Sequence, residues 1–151
     1  MPEAIISDAS CLIILTNIGG LDLLHKVYGK IITTVEIATE YGETLPEWVE
    51  IQVVNDKYRQ QILEMQIDKG ESSAIALALE TPGCLIILDD YKARRIAEKL
   101  GLRITGTLGV IIKAKHQGII TSIKPILEKI KQTDFRLTRQ LELIALKEAR
   151  E

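Results

Sequence analysis

Short apolar runs that alternate with helix-patterned segments constrain this 151-residue chain more than any other feature. Residues 4–7 and 85–88 are runs of Ala, Ile and Leu with little polar alternation. That is how strands buried on both faces of a parallel sheet read, and 85–88 is the strongest such signal. Residues 30–33, 51–54 and 103–105 supply further short strands, with 51–54 placed at an edge. Between them the apolar period switches to three and four residues, which predicts helices over 10–17, 21–27, 34–41, 56–67, 71–79, 93–100, 110–116, 125–131 and 138–149. Thr34 is a plausible N-cap and Gly42 a stop. A short acidic helical piece is expected from Pro46 through Trp48, and Lys69-Gly70 is expected to break the pattern. Strands alternating with helices define an α/β fold with a central parallel sheet of about four to five short strands flanked by helices.

The chain is 46% hydrophobic and 4% aromatic. The core is therefore aliphatic, and the length suits one domain over residues 1–151, with residues 123–151 as C-terminal helices. No segment of about 20 apolar residues is present, so no membrane association is expected. The opening Met1-Pro2-Glu3 stretch has no basic region of the kind that starts a leader. Cys11 and Cys84 stand apart in apolar surroundings and read as buried free thiols, which fits a cytoplasmic protein.

Net charge is −2, but its distribution is uneven. Residues 1–90 hold 5 Lys and Arg against 15 Asp and Glu, and residues 91–151 hold 14 against 6. An acidic half and a basic half suit a protein that holds cations in a pocket and steers a polyanion past it; solvated faces on the late helices give the same count.

The acids fall at four stations that a parallel sheet brings together. Asp8 follows the first apolar run, Glu40 lies on an early helix, Glu71 opens a later one, and Asp89-Asp90 follow residues 85–88. Each has a structural reading of its own, since Asp8, Glu71 and the Asp89-Asp90 pair all sit at helix N-termini. Taken together, they stand just past the carboxyl ends of strands, where open α/β sheets form their crevice. Clustered carboxylates raise one another's pKa or require a counter-ion. Hard oxygen donors without paired His or Cys point to Mg²⁺ or Mn²⁺, and the matching chemistry is metal-assisted phosphodiester hydrolysis. The chain has no phosphate-binding Gly-rich loop, no dinucleotide fingerprint and no nucleophile elbow. His25 and His116 read as surface or boundary residues.

These residues carry a resemblance to the PIN-domain superfamily, and within it to uncharacterised PIN-like proteins related to VapC toxins. It rests on Asp8-Ala9-Ser10 at the start, on Thr34 to Glu40, and on Asp68 to Ala78 with Gly70-Glu71. Leu88 to Ala97 and Gly101 to Gly109 complete it, so that it covers nearly the whole chain. The resemblance implies a metal-dependent endoribonuclease in which Asp8, Glu40, Glu71 and Asp90 are the catalytic acids. Asp8, Asp90, Asp89 and Glu71 are then candidate ligands of Mg²⁺ or Mn²⁺, and Ser10 matches a hydroxyl that supports the first acid. Many relatives carry Asp at the station of Glu71 and a neutral residue at that of Asp89. Lys92, Arg94 and Arg95 follow the last acids and are candidate RNA contacts.

The resemblance also implies an RNA substrate, a small antitoxin partner and a homodimer, with the chain as the toxin of the pair. The alternative is a nuclease-silent PIN-like module that binds RNA or a protein. A phosphatase of the haloacid-dehalogenase type fits less well, because Ser10 stands where its second Asp belongs. A receiver domain would want an acidic pair after the first strand.

Overall fold

The computed structural model describes residues 3–151; Met1 and Pro2, which open the stretch read above as lacking a leader, lie outside the described residues. The chain begins with β1 (Ile5–Ser7), α1 (Ala9–Asn17), α2 (Asp22–Tyr28), β2 (Ile31–Thr34), α3 (Val35–Tyr41) and β3 (Val49–Gln52). It continues with α4 (Lys57–Leu63), α5 (Lys69–Leu79), β4 (Leu85–Ile87), α6 (Tyr91–Lys99) and β5 (Arg103–Thr105). Three helices close it: α7 (Thr107–His116), α8 (Lys124–Lys131) and α9 (Arg139–Glu148).

The strands form one sheet in the order β3-β2-β1-β4-β5. Every pairing is parallel, with Ile6 beside Ile32 on one side and Ile86 on the other, and Ile86 in turn beside Ile104. From β1 the chain winds outward to β2 and β3, then crosses to β4 and β5. The reversal places a switch point between β1 and β4, where open α/β sheets bind ligands outside their carboxyl ends.

Burial follows from this order. The central strands are covered on both faces, and Ile5, Ile6, Ile86, Ile87 and Leu88 are buried together with Leu12, Leu15 and Ile75. On α5, Ser72 through Ala78 are all buried, and the small side chains of Ser72, Ser73, Ala74, Ala76 and Ala78 let the helix lie close against its neighbours. A second apolar cluster of Ile14, Ile111, Ile123, Leu127, Ile130 and Ala145 fastens α8 and α9 onto α7 and the edge of α1. No single helix among the described residues is long and apolar enough to cross a membrane.

Local chemistry sets most boundaries. The Thr34 hydroxyl accepts from the Ile37 amide at 3.1 Å and starts α3, and Gly42 ends that helix in the left-handed conformation, with φ at +78°. Three expectations are corrected. Pro46 to Trp48 forms a turn and not a helix, because the Trp48 carbonyl accepts from the Ile31 amide at 2.9 Å and extends the β2–β3 ladder. The edge strand accordingly starts at Val49 and ends at Gln52, not at residue 54. Lys69-Gly70 does not interrupt the chain but forms the first turn of α5, with Asp68 as its cap.

Ile6 has no exposed surface and sits in the central strand. Ile6→Ala is expected to cost about 2–5 kcal/mol of stability, the range for emptying a closed aliphatic site, measured by denaturant unfolding.

Candidate active site

Asp8 leaves β1 and caps α1, and its carboxylate ties the two central strands together. One oxygen, Oδ1, accepts from the Cys11 amide at 2.9 Å, and Oδ2 accepts from the Asp89 amide at 2.9 Å. The Asp8 amide itself donates to the Ile87 carbonyl at 3.0 Å. The first acid is therefore fixed directly at the switch point and is 3% exposed. Burial pushes its carboxyl well above the usual carboxylate range, the neighbouring charge of Asp89 adds to this, and the two amides only partly offset it. Glu71 contributes a smaller push in the same direction.

Asp89 follows Leu88 at the end of β4. Its Oδ1 accepts from the Thr107 amide at 2.8 Å and its Oδ2 from the Thr107 hydroxyl at 2.5 Å, so residues 18 apart in sequence meet here. Asp90 is exposed and caps α6, with Oδ2 accepting from the Ala93 amide at 3.0 Å. The two adjacent acids thus have different work: one is held inward against α7, and the other starts a helix.

On the opposite side, Asp8, Ser10, Glu40, Asp68, Gly70 and Glu71 line a small cavity of about 100 Å³. Glu71 in the first turn of α5 has its carboxyl pushed up to about 7, by burial first and then by the charges of Asp68 and Asp90. The carboxyl of Glu40 is raised by burial and by Asp68. Glu40 reaches this cavity because position 70 is glycine: a Cβ there would lie 3.1 Å from Glu40 Oε1. Ser10 lines the cavity, but its hydroxyl makes no hydrogen bond to Asp8 among the described residues. Of the basic residues after the acids, Lys92 is exposed, Arg95 lies 5.8 Å from the Tyr91 ring centre, and Arg94 donates to the Leu88 carbonyl at 2.7 Å.

Asp68 and Thr107 were not singled out from the sequence. Asp68 stands three residues before Glu71, the spacing of a cap and its reciprocal acid, and its Oδ1 does accept from the Glu71 amide at 2.8 Å. Nothing local signals Thr107, because its partner lies on another strand end.

No three carboxylate, imidazole or thiol groups among the described residues converge as a ready-made metal cage. Mg²⁺ does not need one, since it binds through one or two carboxylates and keeps several waters. Each bonded oxygen of Asp8 and Asp89 retains a second lone pair. The raised carboxyls record a repulsion that a cation would relieve, so the donor set fits a hard divalent ion.

A doubly wound parallel sheet with carboxylates at the switch point of its central strands defines a nuclease-type α/β domain. The chain matches the family model DUF3368, a PIN domain, over residues 4–151, and it belongs to the PIN-domain family. PIN domains are generally nucleases, usually use divalent metal ions, and commonly bind nucleic acids. Comparison with curated proteins and with solved structures finds no match.

Without metal, Glu71, Asp8 and Glu40 hold protons that the unfolded chain has already released at ordinary carboxylate values. The folded state binds more protons across that window, so stability falls as pH rises from about 4.5 through 7. The lowered carboxyl of Glu151, at about 2, acts in the opposite direction only at lower pH. Thermal melts in EDTA are expected to show Tm falling between pH 5 and 7.5, with a shallower fall in Glu71→Gln.

Proposed function

We propose that this chain is a Mg²⁺- or Mn²⁺-dependent endoribonuclease acting as the toxin of a toxin–antitoxin pair. The observation that carries the reading is the junction at the switch point, where Asp8 Oδ2 accepts the amide of Asp89 and four further acids stand around it. Asp8 and Asp90 would be the main ligands of the cation, with Asp89 and Glu71 beside them. Bound there, a divalent ion polarises a phosphoryl oxygen and lowers the pKa of water. Glu40 and Glu71 would orient the attacking water, and a carboxylate within reach can accept its proton. In-line attack on the phosphodiester leaves a 5′-phosphate on the downstream fragment.

Lys92 and Arg95 at the start of α6 meet substrate phosphates. Arg94, tied to the Leu88 carbonyl, contributes positive charge beside Asp89 without reaching as far. A small antitoxin, a second copy of the chain and a cytoplasmic setting complete this reading. A nuclease-silent module that binds RNA or a protein partner is the second reading. It is favoured by one observation: all four carboxylate oxygens of Asp8 and Asp89 already accept hydrogen bonds from the protein.

Cleavage of a labelled structured-RNA pool, in Mn²⁺, Mg²⁺ or EDTA, separates the two. The nuclease cuts only with metal, and Asp8→Asn, still folded by circular dichroism, loses the cutting. Full cleavage by Asp8→Asn removes Asp8 from the mechanism, and binding without turnover at any metal concentration establishes the silent module.

A further inference from the structure

We propose that the groove beside the acid cavity, with Lys57 and Lys69 on its walls, seats an unpaired stretch of the RNA strand next to the bond that is cut. This inference adds a substrate path to the nuclease reading above and rests on it. The cavity lined by Asp8 and Glu71 measures about 100 Å³. A water takes up about 30 Å³ of liquid, so that space suits a hydrated cation and is too small for a nucleotide. A groove of about 710 Å³ adjoins it, and the two share Glu40, Asp68 and Gly70 in their linings. The size of the groove falls within the range of about 300–1,000 Å³ usual for ligand sites. Val35 and Val53, 45% and 60% exposed, give it an apolar face for a sugar or a base.

The cations of the acidic half are distributed in a way that favours a polyanion here. Residues 1–90 hold only five Lys and Arg. Three are ion-paired: Lys26 with Asp22 at 3.1 Å, Lys30 with Glu50 at 2.8 Å and Arg59 with Asp56 at 3.7 Å. The other two, Lys57 and Lys69, form no ion pair among the described residues, and both line this groove. The acids close to them are engaged elsewhere. Asp56 accepts from the Arg59 amide at 3.0 Å, Asp68 from the Glu71 amide at 2.8 Å, and Glu36 from Gln60 Nε2 at 2.6 Å. A cation in the small cavity would offset Glu40 and Asp68, which leaves Glu36 against two lysines. The groove is built by α3, α4 and the start of α5, which follow β2 and β3, whereas α6 follows β4 on the other side of β1. Lys57 and Lys69 therefore stand across Asp8 from Lys92 and Arg95, and one strand can be held by its phosphates on both sides of the acids.

The test removes both charges in Lys57→Gln/Lys69→Gln and sets it beside Lys26→Gln/Lys30→Gln, which removes two charges from ion pairs outside the groove. All four side chains reach solvent, so the packing is untouched. Binding of a labelled single-stranded RNA pool to the full chain is followed by fluorescence anisotropy in Mg²⁺ at several KCl concentrations, before cleavage sets in. Each phosphate contact to a single strand adds about 0.7 to the slope of log K against log salt, so the groove variant is expected to lose about 1.4 from it. Its KM for cleavage is expected to rise several-fold with kcat unchanged, the pattern of lost uniform binding. The control variant is expected to keep the wild-type slope and KM. A groove variant that matches the control in both overturns the proposal, and leaves the nuclease reading standing if the wild type cuts. Binding with the expected loss of slope but no cleavage by the wild type overturns the nuclease reading and leaves the groove as an RNA site. A wild-type chain that neither binds nor cuts RNA overturns both.

Discussion

The hydrogen bond from the Asp89 amide to Asp8 Oδ2 joins the ends of β1 and β4 at the point where the winding of the sheet reverses. A buried carboxylate is costly unless it is bonded, and Asp8 is held by two amides while its proton affinity stays high. The backbone geometry that satisfies Asp8 also sets where Asp89 leaves the strand. Thr107, Gly106 and Arg94 then pack around that position. The fold and the acid cluster are consequently one construction: the crevice exists because β1 and β4 are neighbours, and their ends are joined by a group that belongs to the crevice.

That construction stores electrostatic repulsion. Asp8, Glu40 and Glu71 all have carboxyls raised by burial and by one another or by Asp68. Arg94, bonded to the Leu88 carbonyl, brings positive charge beside Asp89, and several late cations are engaged elsewhere. Lys131 and Arg139 pair with Glu142, and Lys115 with Glu151. The positive half of the sequence is thus partly spent on packing α8 and α9, while Lys92 and Arg95 remain at the surface beside the acids. Without a cation the raised carboxyls hold protons, and a bound cation would take the place of those protons.

Much of this was legible in the chain before any coordinates. Apolar runs at 4–7 and 85–88 mark strands because burial on both faces removes the polar alternation, and an acid directly after each run lands at the mouth of the sheet. Thr34 and Gly42 bracket α3 by local chemistry alone. The failures share one cause, which is partnership across the fold. Pro46 to Trp48 has helix-compatible residues, but the ladder with Ile31 and the stacking of Trp48 on His25, at 5.0 Å between ring centres, hold it as a turn. Asp68 opens the stretch to Ala78 and caps α5 by local chemistry, but its place in the cavity depends on how α5 approaches α3. Thr107 lies within the stretch from Gly101 to Gly109 with no visible task until β5 is placed beside β4.

The central claim is that the acids around the β1–β4 junction form a cation site centred on Asp8. A crystal structure of the full chain soaked in Mn²⁺, with anomalous scattering recorded at a wavelength where the metal contributes strongly, addresses it directly. The account predicts an anomalous peak in contact with a carboxylate oxygen of Asp8, at the cavity lined by Glu40 and Glu71. No peak at the junction when the soak saturates other sites would contradict it.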